Sequence, residues 1–289
     1  RLSSKDRRNS LESFNWSAVF RTFYETTCGA GTFVFVGFVL SLGVAKEDMG
    51  FIAGVVSFAC IAQVVSLALA NYVRDKKAFV LAVAALEPML FVGAVLALPH
   101  LPSGARIPAL AGAVFLAAAF FHLTRPLADN WLATTIPEGI RGRYLGRRFQ
   151  LLAAVSVVTT LAAGVLSERL DKSNAVGLAC LLAAGGLFGV LAVFALRNAA
   201  MPALTAASRV TPADLRDVVR VKSFRRYVGF VLIYNFPFFF ACPYYQVFNL
   251  EVLKMKASHI ALMMVGYQLV RLGATRLAGP LLDRKGVRW

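Results

Sequence analysis

Eight runs of about 20 mostly apolar residues, the length a helix needs to cross a bilayer, dominate this 289-residue chain. They cover 16–40, 49–70, 78–98, 107–131, 149–167, 173–196, 227–250 and 257–282. Membrane β-strands would be about ten residues long with strict alternation. Stretches such as Leu151-Leu-Ala-Ala-Val-Ser-Val-Val have no such period. The expected fold class is therefore all-α, a polytopic helical membrane protein. Composition agrees: 58% of residues are hydrophobic and only 16% charged, against about 25% charged in soluble domains. A soluble enzyme is excluded on that ground.

The 31 Lys and Arg against 15 Asp and Glu leave a net charge of +16. Their distribution separates a nucleic-acid surface from a topological signal. Taken from the N-terminus in alternate connections, segments 1–15, 74–77, 141–148, 197–226 and 284–288 hold four, three, four, seven and three cations, 21 in all. The opposite connections hold six, namely Lys46, Arg106, Arg169, Lys172, Lys254 and Lys256, and four more lie within spans. Cytoplasmic loops retain the positive residues, so the N-terminus is expected in the cytoplasm, in a cell (inner) membrane. Nucleic acid is not an expected partner.

The connections divide the chain into an N-terminal tail (1–15), six spans (16–196), a basic linker with two prolines (197–226) and two further spans (227–289). The tail lacks the short apolar run and small-residue cleavage site of a signal peptide. Cys28, Cys60, Cys180 and Cys242 sit in apolar runs without paired spacing and are read as small core hydrophobes. The pairs Gly50/Gly54 and Gly185/Gly189 have the spacing that lets membrane helices approach closely. The three histidines stand at no ligand spacing, and there is no phosphate-binding glycine loop. No metal, cofactor or enzymatic activity is expected.

After the eighth span stands Gly279-Pro-Leu-Leu-Asp283-Arg284-Lys-Gly286-Val-Arg288. This resembles the signature loop of the major facilitator superfamily, G-x-L-x-D-R-x-G-x-R, which joins the second and third helices of each six-helix half. The equivalent first-half loop, with Arg74 and Asp75 in reversed order and no glycine, is a degenerate copy. The segment Pro137-Glu-Gly-Ile-Arg141-Gly142-Arg143-Tyr-Leu-Gly146 resembles another segment common in that superfamily, after the fourth helix. The resemblance spans essentially the whole chain. It implies twelve helices in two similar halves and solute movement by alternating access, so that about eight of the twelve are present. The chain starts without Met and stops at Trp289 in a basic loop, and is read as a fragment unable to transport by itself. The fifth span lacks the Gly-Pro pattern of the superfamily's drug/proton antiporters.

Ionisable groups within a bilayer cost about 2.5–3.5 kcal/mol each on insertion scales, so each needs a partner or a purpose. Glu25, near the midplane, is the leading proton-coupling candidate, with a structural ion pair to Arg21, four residues earlier, as the other reading. Glu87, before Pro88, is read as a protonated carboxyl bonded to a neighbouring helix. His122, Arg125 and Asp129 share one helical face. His122 is a second proton carrier or a structural histidine. Arg125 pairs with Asp129, or Asp129 takes Arg74 or Lys76, as an inner gate.

The seventh span combines Pro237 and Pro243 with a dense aromatic run. In the superfamily that helix lines the cavity, so Tyr234, Asn235, Tyr244, Tyr245 and Gln246 are candidate substrate contacts. In the eighth span Gln268 and Arg271 join them, Arg271 as an anion anchor or as the pair of an acid elsewhere. Gly279, Asp283, Arg284, Gly286 and Arg288 are assigned to the signature loop and to gating. The expected function is secondary active transport of a small solute, driven by an ion gradient with H+ as the coupling ion, by a monomer in the lipid bilayer. A non-transporting membrane sensor or scaffold with the same fold is the alternative.

Overall fold

Helix α1 (Ser4–Cys28) opens on Ser3, whose hydroxyl accepts from the Asp6 amide at 3.1 Å, an N-cap with an acid in the first turn. In this computed structural model, which describes residues 3–69, 72–170, 174–202 and 212–285, the segment expected to be a tail is thus already helical. The first span is also broken. Gly29, Ala30 and Gly31 end α1, and α2 (Phe33–Ser41) restarts on Thr32, bent by 41° from α1. The Thr32 hydroxyl accepts from the Phe35 amide and donates to the Thr27 carbonyl, so one side chain ties both sides of the break.

The second span is α3 (Asp48–Phe58) continued through a 3-10 turn into α4 (Ala62–Leu69). Helix α5 (Lys76–Ala97) is capped by Asp75, which accepts from the Ala78 amide at 2.9 Å. Then follow α6 (Ser103–Thr135), α7 (Arg141–Arg169) and α8 (Ala175–Leu196). A short α9 (Pro212–Arg220) lies within the linker. Helix α10 (Lys222–Val247) passes through a π-helical turn (Phe248–Val252) before α11 (Ala257–Lys285). No strand occurs among the described residues. Six of these helical stretches are long and apolar enough to cross a membrane, or seven if α1 and α2 form one bent span. The chain is a multi-pass membrane protein. Helix α11, the eighth expected span, is not among the seven; His259, Gln268 and Arg271 interrupt its apolar run.

Helix α2 sits in the middle of the core, with Val34, Phe35, Val36, Phe38 and Val39 essentially inaccessible. Around it, α1 lies along α8, α5 fits between α6 and α8, and α11 lies along α7. The glycines of α8 make the close approach possible. A Cβ on Gly185 would meet Cys28 Sγ at 2.8 Å and Thr27 at 2.9 Å, and one on Gly189 would meet Pro88 at 2.7 Å. The spacing read from the sequence is therefore a packing face. Gly50 does the same for the Tyr244 hydroxyl, whereas Gly54 faces open space.

A second, smaller core of Phe14, Val80, Leu127, Trp131 and Ala199 closes the cation-rich end. There the Trp131 indole donates to the Ala200 carbonyl, and the Ala200 amide donates to Ser10. Tyr144 donates to Asn15 at 2.8 Å. At the opposite end Arg106 donates to the carbonyls of Leu42, Pro99 and Leu101, tying the α2 exit to the connection between α5 and α6.

Candidate functional site

Arg21 projects from α1 toward α5 and finds two carboxylates. Its terminal nitrogens bond both oxygens of Glu87, at 2.6 and 2.8 Å, in a fork-on-fork pair, while Nε donates to Glu25 at 2.8 Å. Glu87 is buried and Glu25 is half exposed, with side-chain accessibilities of 7% and 52%. The Arg21 guanidinium also lies over the rings of Tyr24 and Phe121, at 4.9 and 4.5 Å from their centroids. The helical spacing of Arg21 and Glu25 foretold their pair. Glu87, expected to bond a neighbouring helix, takes the bidentate half of Arg21 from 66 residues away. Arg21 bridges a buried and a half-exposed carboxyl, and removing Glu87 would leave the guanidinium without its buried partner.

This triad lines a cavity of about 370 Å³ that continues past Phe121 to Arg125, Asp129 and Arg148. Arg125 Nε donates to Asp129 at 2.8 Å, and the same guanidinium lies 5.5 Å from the Phe121 centroid, on which Arg21 also rests. Of the two pairings open for Asp129, the structure contains the one within α6. Arg74 is exposed, and Asp75 is occupied as the cap of α5. Arg148, from α7, lies within electrostatic reach of Arg125 and Asp129, and its Nη1 is buried without a hydrogen-bond partner.

A smaller cavity of about 250 Å³ joins Arg21, Glu25 and Glu87 to His122 and to the break at Gly29 and Ala30. The two proton-carrier candidates, Glu25 and His122, thus face one space. His122 is held from the second span, with Gln63 Nε2 at 2.8 Å from Nδ1 and Cys60 Sγ at 3.3 Å from Nε2. Cys60 and Cys180 are exposed, so they depart from the core role expected of them.

The α10 residues do not converge on these cavities. Tyr234 and Tyr245 are exposed on the outside of the helix packing, and Asn235 donates to its own helix at the Val231 carbonyl. Tyr244 reaches α3, where its hydroxyl is 3.5 Å from the Glu47 carbonyl. Gln246 is buried against Met264, with Oε1 unpaired among the described residues. In α11, Gln268 lies 3.4 Å from Ser156, which in turn lies 3.5 Å from Thr26 on α1. The Arg271 guanidinium stacks over the Phe149 ring at 5.7 Å.

Gly279, Asp283 and Arg284 fall on the last turns of α11, and Gly286 and Arg288 lie outside the described residues. The segment after Pro137 is not a loop throughout, since Arg141 to Arg148 form the first two turns of α7.

Two ion pairs missed by the sequence reading cross the end opposite the cation-rich one. Lys46 meets Glu251 at 3.5 Å and Lys256 meets Glu168 at 3.3 Å, each linking the six-helix part to the α10–α11 region. Partners so far apart in sequence leave no local spacing to read. The described residues contain no group of three His, Cys, Asp or Glu able to hold a metal. Comparison of the chain with protein-family models, curated proteins and solved structures finds no match.

Proposed function

We propose that this chain is the core of a proton-coupled secondary transporter of the major facilitator type, moving a small solute by alternating access as a monomer, with its cation-rich end in the cytoplasm. The observation that carries this reading is Glu25, a half-exposed carboxylate facing a cavity, on an arginine whose other nitrogens are locked to buried Glu87. Protonating Glu25 releases one of the three Arg21 contacts, and Arg21 keeps its bidentate partner. A proton can therefore be taken up and released there without abandoning a charge in the bilayer. The ion pairs Lys46–Glu251 and Lys256–Glu168 tie the two parts of the chain together at the opposite end, where Glu168, Glu251 and Lys256 line a separate cavity of about 670 Å³. The motif at Gly279–Arg288 supports the family reading.

The test is reconstitution of the full-length protein in liposomes holding a pH dye, with a panel of solutes added under a pH gradient. A solute that drives proton flux is expected. Glu25→Gln should abolish its uphill accumulation while leaving downhill exchange at saturating solute. Unchanged uphill accumulation would remove Glu25 from the mechanism, and a complete absence of solute flux would favour a sensor or scaffold.

A further inference from the structure

The charges on the 370 Å³ cavity are sorted by sign along its length. At one end stand Arg21, Glu25 and Glu87, one cation with two carboxylates, for a net of one negative charge. At the other stand Arg125, Arg148 and Asp129, two cations with one carboxylate, for a net of one positive charge. Phe121 stands between, with a guanidinium from each end on its ring.

The free valences match the net charges. Each of the three Arg21 nitrogens is bonded to Glu87 or Glu25, and the exposed group at this end is the Glu25 carboxylate, which accepts only. At the opposite end Arg125 bonds Asp129 through Nε, and Arg148 also bonds Tyr144 but has Nη1 without a partner among the described residues, so both guanidinium groups keep donors there. We infer that the solute carried in this cavity is a zwitterion, its ammonium group on Glu25, its carboxylate on Arg125 and Arg148, and its apolar skeleton along Phe121. The inference rests on the reading of this cavity as the solute path and adds the class of solute. A singly charged organic ion would leave one end without a counter-charge from the solute.

The experiment measures binding to the purified full-length protein in detergent, apart from flux. The probes are the ω-amino acids from 3-aminopropanoate to 6-aminohexanoate, each beside the alkylamine and the alkanoate of the same skeleton. For at least one skeleton the zwitterion should bind at least about tenfold tighter than either singly charged relative. Glu25→Gln should weaken zwitterion and amine and spare the alkanoate, whereas Arg125→Gln should weaken zwitterion and alkanoate and spare the amine. If Arg125→Gln does not elute as a monodisperse peak, Arg148→Gln must give the same pattern. The proposal is overturned if no zwitterion outbinds both relatives, or if the two variants weaken all three probes alike. Zwitterion binding without flux in liposomes would sink the transport reading and leave this one standing; flux restricted to singly charged solutes would do the reverse.

Discussion

Helix α8 has 44% of its most apolar 18 residues buried within the protein, whereas the most apolar 18 residues within Lys222–Val252 have none. Side-chain size explains the contrast. Gly185, Gly186 and Gly189 let α8 come within van der Waals contact of Thr27, Val92 and Pro88. In α10 the corresponding space is taken by Phe230, Tyr234, Phe236 and Phe240, whose rings stack along their own helix and stay exposed. Water-driven burial does not separate helices in a bilayer, so closeness of fit decides which surfaces associate. Helix α10 is instead fastened near one end, by Tyr244 over Gly50 and by Val247 and Leu250 in the core.

Three substitutions sharpen this contrast, each read as a change in the unfolding of the detergent-purified protein. Glu87→Ala leaves the Arg21 guanidinium without its bidentate partner inside the six-helix part, and should cost about 3–5 kcal/mol. Gly185→Val drives methyl groups into Cys28 and Thr27 and should cost about 1–3 kcal/mol. Glu251→Gln breaks a partly exposed pair that fastens α10, and should cost less than about 1 kcal/mol. A loss at Glu251 as large as that at Glu87 would show that the α10 end is as tightly integrated as the six-helix part, and the contrast would fail.

Local features of the fold were legible in the sequence, and distant ones were not. The apolar runs located the helices, and spacings of four residues located the Arg21–Glu25 and Arg125–Asp129 pairs. The start of α1 was missed because its first turns are charged, although Ser3 followed by Asp6 is a cap signal. The break after Cys28 was also missed. Two glycines and a Thr before a Phe-Val-Phe-Val run carried that signal. For Glu87 the limit is different. Its partner Arg21 arrives from another helix, and no spacing rule reaches 66 residues. Aromatic density in α10 suggested a binding wall, yet density does not fix direction. Tyr234 and Tyr245 face outward, while Arg148, which nothing in the sequence singled out, faces the cavity.

The break at Gly29 to Gly31 also bears on how the chain enters a membrane during synthesis. Helix α1 does not qualify as a span by itself and α2 has only nine residues, yet the two qualify as a bent pair. Helix α1 holds Arg21 and Glu25, while α2 supplies Val34, Phe35, Phe38 and Val39, all fully buried apolar residues. If the pair is one bent span, its insertion waits for Phe33 to Ser41 to be made. A polar substitution in α2 would act first on the orientation and yield of the nascent chain, before any helix has packed.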